Sequence, residues 1–359
     1  MSELLSRFMA VGILDTLDCR FAKAMARLGG EENEAVLLGA ALCSRAPRHG
    51  HICVDLDQVA ARTAGEPDAE GGLPTLDWPE PRAWRAAVAA SPLVGDEHGT
   101  TPLVLEESRV YLRRFHAYEA RLAAALLDRP RGLPLPVDEA VLAEDLALIW
   151  PDGEETGQQA AVVQAVRSRF CVISGGPGTG KTTTLSRVLA LLARQALAQG
   201  GRALPRILMV APTGKAAARM TEAVQPLPDD VDAPGQLPIA LREVVRQLRP
   251  VASTIHRAMG TKRGSLTEFW ASAAQPLAAD VVIVDEASMV ALPLMTKVVE
   301  AVDPRARLIL VGDEDQLASV EAGAALADIC AAGRRGPLAG SIVHLTRNYR
   351  SEGSPGILA

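Results

Sequence analysis

From about residue 137 onward, short and wholly apolar runs alternate with stretches whose apolar positions recur every three or four residues. The runs are FCVIS from 170, ILMVA from 207, VVIV from 281, LILV from 308 and IVHL from 342. Strands without a polar face are buried on both sides, so this alternation predicts a parallel sheet covered by helices on each face. Ligands of such sheets gather at the carboxyl ends of the strands, and each of the five runs is followed there by polar residues. The first 127 residues read differently. Helical periodicity is expected over Ile13–Leu28 and Asn33–Cys43, a strand over Ile52–Leu56, a hairpin over Pro102–Phe115 and an amphipathic helix over Tyr118–Leu127. These elements predict a small mixed α+β domain over 1–127, with a Gly/Pro/acid-rich linker inside it between Ala61 and Arg82. Three prolines and a glycine in DRPRGLPLP (Asp128–Pro136) forbid a continuous helix and set the boundary to an α/β domain over 137–359.

Composition narrows the picture. At 359 residues, more than one domain is expected, and 48% hydrophobic content is ample for packed cores. A formal net charge of −6 excludes a global basic field, so a nucleic-acid partner must be held in a local groove; 3% aromatic residues leave few rings for stacking. Five scattered cysteines without a C-x-x-C pair read as reduced thiols, which predicts a cytoplasmic protein. No export signal is evident at the start, and no run of 18 apolar residues could cross a membrane.

The chemistry concentrates behind the apolar runs. Phe170–Ser174 leads into a glycine-rich loop and then into a helix carrying Leu185, Val188, Leu189 and Leu192 at helical spacing. Inside the loop, Gly175, Gly180, Lys181 and Thr182 satisfy G-x-x-x-x-G-K-[ST]. Glycines let successive N–H groups face one phosphate, and the new helix points its positive end at the same anion. Lys181 would then reach the β/γ-phosphates and Thr182 would hold Mg²⁺. In VVIVDEAS, Asp285 is suited to Mg²⁺ and Glu286 to taking a proton from an attacking water. In LVGDEDQL, Gln316 is suited to bond a γ-phosphate or the lytic water. In LTRNYR, Arg350 is the choice for a guanidinium that neutralises transition-state charge, with Arg347 a structural or DNA-facing residue. Thr213 and Lys215 open the helix of APTGKAAARM, where a phosphodiester would be welcome, and an ordinary capped helix is the competing reading. Thr254 and His256 of STIHRAMG are further candidates for a nucleic-acid backbone, against a structural histidine. Gln158 of TGQQ could pair with the N6 and N7 edge of adenine.

GGPGTGKTT, APTGKAAARM, TIHR, VIVDEAS, VGDEDQL and LTRNYR, in this order, resemble the superfamily 1 helicases, and their wording is similar to the RecD family, the alpha subunits of bacterial exodeoxyribonuclease V. HICVDLDQVA and PLVLEESRVYLRRFHAYEARLA resemble the N-terminal domain of that family. The resemblance implies a RecA-like motor domain. It implies a subunit that translocates 5′→3′ on single-stranded DNA, working with RecB and RecC on DNA ends to resect double-strand breaks for recombinational repair. By motif, it implies that Gly175, Gly176, Pro177, Gly178, Thr179, Gly180, Lys181 and Thr182 form the ATP phosphate loop. Gln158 would be the adenine sensor, Asp285 and Glu286 the Mg²⁺ and water-activating pair, Gln316 the γ-phosphate sensor, and Arg350 an arginine finger. Thr213, Lys215, Thr254 and His256 are similar to strand-contacting positions. The family has a second RecA-like domain, so a sequence stopping at Ala359 reads as a fragment, inactive alone. Thr221–Pro250 and Thr261–Ala279 read as insertions, the latter a small strand-separating subdomain. A loop starting at Gly175 favours the complex-bound form over stand-alone relatives. The alternatives are a stand-alone RecD-like helicase and a non-catalytic, ATP-binding regulatory subunit. A phosphate-loop kinase is disfavoured by the Asp285–Glu286 pair and Gln316, and no His/Cys metal cluster or nuclease constellation is evident.

Overall fold

The computed structural model describes residues 3–63, 76–96, 98–129, 135–152, 156–200, 203–224, 237–262, 264–265, 267–316, 322–323 and 325–349. The chain forms two compact units. The first comprises Met1–Arg121 with Ala291–Pro293 and Ala318–Ala324, and the second holds the remainder.

In the first unit, helices α1 (Glu3–Ala10), α2 (Thr16–Gly29) and α3 (Glu34–Arg45) precede β1 (Cys53–Asp55), α4 (Val59–Thr63) and α5 (Pro81–Ala89). Strands β2 (Val94–Gly95), β3 (Leu103–Glu106) and β4 (Arg109–Leu112) lead into α6 (Arg113–Asp128). The sheet order is β1-β4-β3-β2, antiparallel except between β2 and β3. Caps mark where the helices start. Asp15 and Asp18 form a reciprocal capping box on α2, and Asn33 accepts from the Ala35 amide at the start of α3. Between them α1, α3 and α5 bury Leu5, Phe8, Leu38, Leu42, Trp84 and Val88 in one core. The Trp84 indole donates to the Ala35 carbonyl at 2.7 Å, so this large side chain is buried without stranding its N–H. Two boundaries differ from the periodicity. The last helix starts at Arg113 rather than Tyr118, and α5 begins at Pro81, whose ring is preset for a first helical turn behind the Glu80 cap. Residues 64–75 of the expected linker lie outside the described residues.

The second unit opens with α7 (Glu139–Ile149) and α8 (Gly157–Arg167). Then come β5 (Phe170–Gly175), α9 (Lys181–Ala198), β6 (Ile207–Ala211), α10 (Gly214–Val224), α11 (Ile239–Gln247), β7 (Val251–Thr254) and α12 (Ile255–Met259). It continues with β8 (Val281–Val284), α13 (Leu292–Ala301), β9 (Arg307–Gly312), α14 (Ala325–Gly333) and β10 (Ile342–Leu345). Six strands pair in the order β10-β5-β9-β8-β6-β7, every pair parallel. Alternate residues Cys171, Ile173, Met209, Ile283, Ile309 and Val311 share a core with the helices α8 to α11. Their neighbours Phe170, Val172, Val210, Val282, Leu308 and Leu310 are equally buried, so both faces are covered.

Two findings go beyond the sequence reading. The sixth strand, β7, was hidden in VAST because an edge strand is not enclosed, and Val251 is 60% exposed. Within 221–250, Leu241, Val244 and Val245 of α11 lie in the same core as α9, while residues 225–236 of that stretch lie outside the described residues. Within 261–279, isolated antiparallel bridges join Thr261 to Phe269 and Ser272 to Gln275.

Register aligns the carboxyl ends of all six strands. Leu345 pairs with Gly175, Ser174 with Gly312, Val284 with Leu310, Val210 with Val284 and Ala211 with Thr254. Each polar motif therefore leaves the sheet at one rim.

Candidate nucleotide site at the carboxyl rim of the sheet

The phosphate loop links β5 to α9 in a conformation that only its residue types permit. Gly178 and Gly180 both sit at φ 82°, in the left-handed region. At Gly180 a β-carbon would also lie 2.1 Å from the Gln158 amide nitrogen. The Thr179 hydroxyl donates to the Gly176 carbonyl at 2.9 Å, closing the loop on itself, and the Thr184 hydroxyl donates to Gly180 at 2.9 Å. Lys181 folds back across the loop, its Nζ donating to the carbonyls of Gly175 at 2.5 Å and Gly176 at 3.0 Å. Burial pushes its ammonium below the usual lysine range, while Asp313 and Asp285 act against that shift. An ammonium held by backbone carbonyls and facing two carboxylates is poised to exchange those carbonyls for phosphate oxygens. Thr182 follows on the first turn of α9 and is exposed.

Asp285 and Glu286 leave β8 next to this loop. The Asp285 amide is tied to the Val210 carbonyl at 2.9 Å, which fixes the strand end, and Oδ1 accepts the Glu286 amide at 2.9 Å. Burial raises the Asp285 carboxyl above the usual range, opposed by the Glu286 hydrogen bond and by Lys181. Glu286 adopts φ 49°, ψ 40°. A left-handed glutamate costs on the order of 1–3 kcal/mol and persists only where its surroundings hold it. No sequence pattern reports it.

The loop after β9 completes the near side. Gln316 accepts a hydrogen bond from the Ser288 hydroxyl at 3.1 Å, so the residue read as a γ-phosphate sensor is joined to the turn that follows Asp285 and Glu286. Glu314 was not singled out, yet it bridges three strand ends. Its amide donates to Ser174 Oγ at 3.4 Å, and its Oε1 lies 3.0 Å from His344 Nδ1 and 3.5 Å from Arg334.

Past β10, the chain crosses the phosphate loop. The Tyr349 amide donates to the Gly178 carbonyl at 3.0 Å, and the Asn348 side chain to Pro177 at 3.4 Å. Arg347 places its guanidinium 5.2 Å from the centre of the Tyr349 ring. Arg350 lies outside the described residues.

Gln158 sits in a different setting from the one its amide suggested. It is buried, Nε2 donates to the Thr179 carbonyl at 3.1 Å, and Oε1 accepts from Arg187. Arg187 in turn stacks 4.7 Å from the centre of the Trp150 ring. One end of the amide is thus spent on the loop and the other on α9, and an adenine edge would have to displace these partners. Thr213 and Thr254 serve as helix caps: their hydroxyls accept the amides of Ala216 at 3.2 Å and Arg257 at 3.3 Å. Each keeps its own O–H for a donor role. Lys215 and His256 are exposed, and the His256 ring centre lies 5.7 Å from that of Phe269. Among the described residues no cluster of His, Cys, Asp and Glu suited to a metal is present, and no helix is long and apolar enough to cross a membrane.

Comparison with known proteins matches this arrangement to one family. A family profile described as the N-terminal domain of the RecBCD enzyme subunit RecD matches residues 10–111, and one described as an AAA domain matches residues 158–322. The chain is similar to RecBCD enzyme subunit RecD of Mycobacterium tuberculosis, 42% identical over 336 residues that make up 91% of this chain and 52% of the relative. RecD of Haemophilus influenzae is 33% identical across 92% of this chain and 53% of its own length. The ATP-dependent RecD2 DNA helicase of Deinococcus radiodurans is 33% identical over 65% of this chain and 27% of its own. A Pif1 helicase structure from Bacteroides overlaps 56% of this chain and 43% of its own, with 19% identity and a TM-score of 0.30. The chain spans about half the length of the RecD proteins it matches. With a RecD N-terminal domain at residues 10–111, a phosphate-loop domain behind it and RecD sequences aligned across 91% of its length, the chain belongs to the RecD family.

Proposed function

We propose that this chain supplies the first motor domain of an ATP-dependent DNA helicase subunit. It moves 5′→3′ on single-stranded DNA, and it assembles in the cytoplasm with RecB and RecC to resect double-strand breaks for recombinational repair. The single observation that carries the reading is the parallel register that brings the phosphate loop after β5, the Asp285–Glu286 turn after β8 and the Asp313–Gln316 loop after β9 to one rim of the sheet, where Asp285 and Asp313 act on Lys181. Three strand ends there address one phosphate chain, an arrangement suited to phosphoryl transfer to water. Family membership, the RecD names of the relatives and the helicase name of the Deinococcus relative support the substrate and the partners.

In this reading the amides from Gly176 to Thr182 cradle the phosphates and Lys181 neutralises the β/γ oxygens. Glu286 takes the proton of the attacking water, and Gln316 registers whether the γ-phosphate is present. Gln316's tie to Ser288 carries that state to the turn after β8. Arg350 would neutralise transition-state charge. Thr213, Lys215, Thr254 and His256 would meet the DNA backbone where β6 and β7 end, and the second half of the cleft would come from the part of the RecD proteins that this chain does not span. Mg²⁺ fits the donors present. The Thr182 hydroxyl and the Asp285 carboxylate are hard oxygens. Asp285 is a half-buried acid whose charge the protein compensates only in part. When bound, the ion would offset phosphate charge.

The test is DNA-stimulated ATP hydrolysis by the full-length protein assembled with RecB and RecC. Lys181→Gln should lower this subunit's turnover by about 10²-fold or more. Undiminished turnover overturns the assignment, and ATP binding without DNA-dependent hydrolysis in the unsubstituted protein favours a regulatory subunit.

A further inference from the structure

At the other rim of the parallel sheet, the amino ends of β6, β8 and β9 surround a pocket of about 580 Å³. Arg206, Asp280, Asp303, Arg305 and Arg307 line it, and Pro276–Ala279 supply an apolar wall. Both acids are already neutralised. Arg206 grips Asp280 through two side-chain contacts of 2.9 and 3.1 Å, and its backbone amide adds a third at 2.8 Å. Arg305 holds Asp303 in a second fork at 2.9 and 3.1 Å. Arg307 is left over. One end of its guanidinium donates to the Val166 carbonyl at 3.0 Å, while Nε is buried with no hydrogen-bond partner. Burial, with the like charge of Arg169 adding to it, pushes the Arg307 guanidinium down to about 10. A buried donor left without an acceptor costs about 1–3 kcal/mol, and among the described residues no acid pairs with the guanidinium that lines this pocket.

We propose that the pocket is a docking site for an acidic segment of a partner protein, one carboxylate of which pairs with Arg307 while an apolar neighbour lies on the Pro276–Ala279 wall. Charge complementarity supports this occupant, because three arginines face two neutralised aspartates on a chain of net charge −6. The volume is many times the roughly 30 Å³ share of one water, far more than a lone carboxylate or phosphate fills. Nucleic acid is the poorer match. The pocket opens at the rim away from the phosphate loop, and no aromatic side chain is among its described lining residues.

Fluorescence anisotropy of a labelled, alternating Glu-Leu peptide with this chain tests the assignment, with ADP saturating the phosphate loop. A Lys-Leu peptide and a single-stranded thymidine oligonucleotide serve as comparisons. The expected result is salt-sensitive binding of the Glu-Leu peptide alone, weakened about tenfold or more by Arg307→Gln and by Arg305→Glu. Arg305 is solvent-exposed, so its charge reversal keeps the test decisive if Arg307→Gln fails to fold. Absence of Glu-Leu binding, an affinity unchanged from the parent in the folded variants, or displacement by the oligonucleotide each overturns the proposal.

Discussion

His344 Nδ1 lies 3.0 Å from Glu314 Oε1, which ties the end of β10 to the loop that carries Asp313 and Gln316. β10 runs on into the segment that crosses the phosphate loop through Tyr349. Glu314 is therefore a brace between the loop that carries Gln316 and the segment that crosses the phosphate loop. In the full-length subunit, Glu314→Ala and His344→Ala are each expected to lower ATP turnover about three- to tenfold and to leave ADP affinity within about twofold, since positioning losses fall on the transition state. Steady-state hydrolysis alongside fluorescent-ADP titration separates the two effects; equal loss in both quantities removes the brace from the mechanism.

Gly180 offers a sharper test of the loop. Its φ of 82° and the 2.1 Å that would separate an added methyl carbon from the Gln158 amide nitrogen leave alanine two penalties at once. Gly180→Ala should cost about 1–3 kcal/mol in urea unfolding and abolish ADP binding. Gly176, where nothing lies within 4 Å of a β-carbon and φ is not left-handed, should tolerate alanine with a stability change under about 0.5 kcal/mol.

Arg129 carries a stability prediction away from the nucleotide. It is 5% exposed and donates to the carbonyls of Val299 at 3.1 Å, in the last turn of α13, and of Val302 at 2.8 Å and Ala306 at 3.3 Å just beyond it. A cation there complements the negative end of the helix and satisfies carbonyls that would otherwise be stranded. Arg129→Met is expected to cost about 2–4 kcal/mol in thermal or urea unfolding. Lysine should recover only part, because one ammonium cannot span three carbonyls in a plane. A methionine variant as stable as the parent would show that water replaces the guanidinium.

Much of the parallel sheet was legible because its strands are buried on both faces. FCVIS, ILMVA, VVIV and LILV are almost wholly apolar and buried, the edge run IVHL keeps three apolar residues in four, and each lies within a strand or forms one. The edge strand β7 escaped for the converse reason: VAST is short, half-exposed and half polar. The phosphate loop was readable because its chemistry demands glycine at fixed spacings. Properties that depend on what a side chain meets were not readable. The Gln158 amide is spent on Thr179 and Arg187, partners that lie 21 and 29 residues away in sequence. Glu314 and His344 are 30 residues apart and look like ordinary surface residues until parallel pairing of β10 with β5 brings them together. The left-handed turn at Glu286 leaves no trace in composition at all.

Asp285 links stability to activity with opposite signs. Burial raises its folded-state carboxyl above the unfolded value of about 3.9. Between those two values the folded state keeps a proton that the unfolded chain has released, so stability falls as pH rises through that window and stays lowered at neutral pH. Asp285→Asn removes the ionisation while preserving size and the acceptor for the Glu286 amide. The expected outcome in the absence of nucleotide and Mg²⁺ is a higher thermal midpoint for the variant at pH 7, narrowing towards the parent at a pH below about 3.9. ATP hydrolysis by the full-length variant should be lost over the same comparison, the usual exchange at a site that keeps a charge where folding alone would not. Thermal melts of parent and variant across pH decide it. A midpoint at pH 7 that is unchanged or lower in the asparagine variant would mean that Lys181 already compensates the carboxylate in full, and the argument that this site is short of positive charge would fall with it.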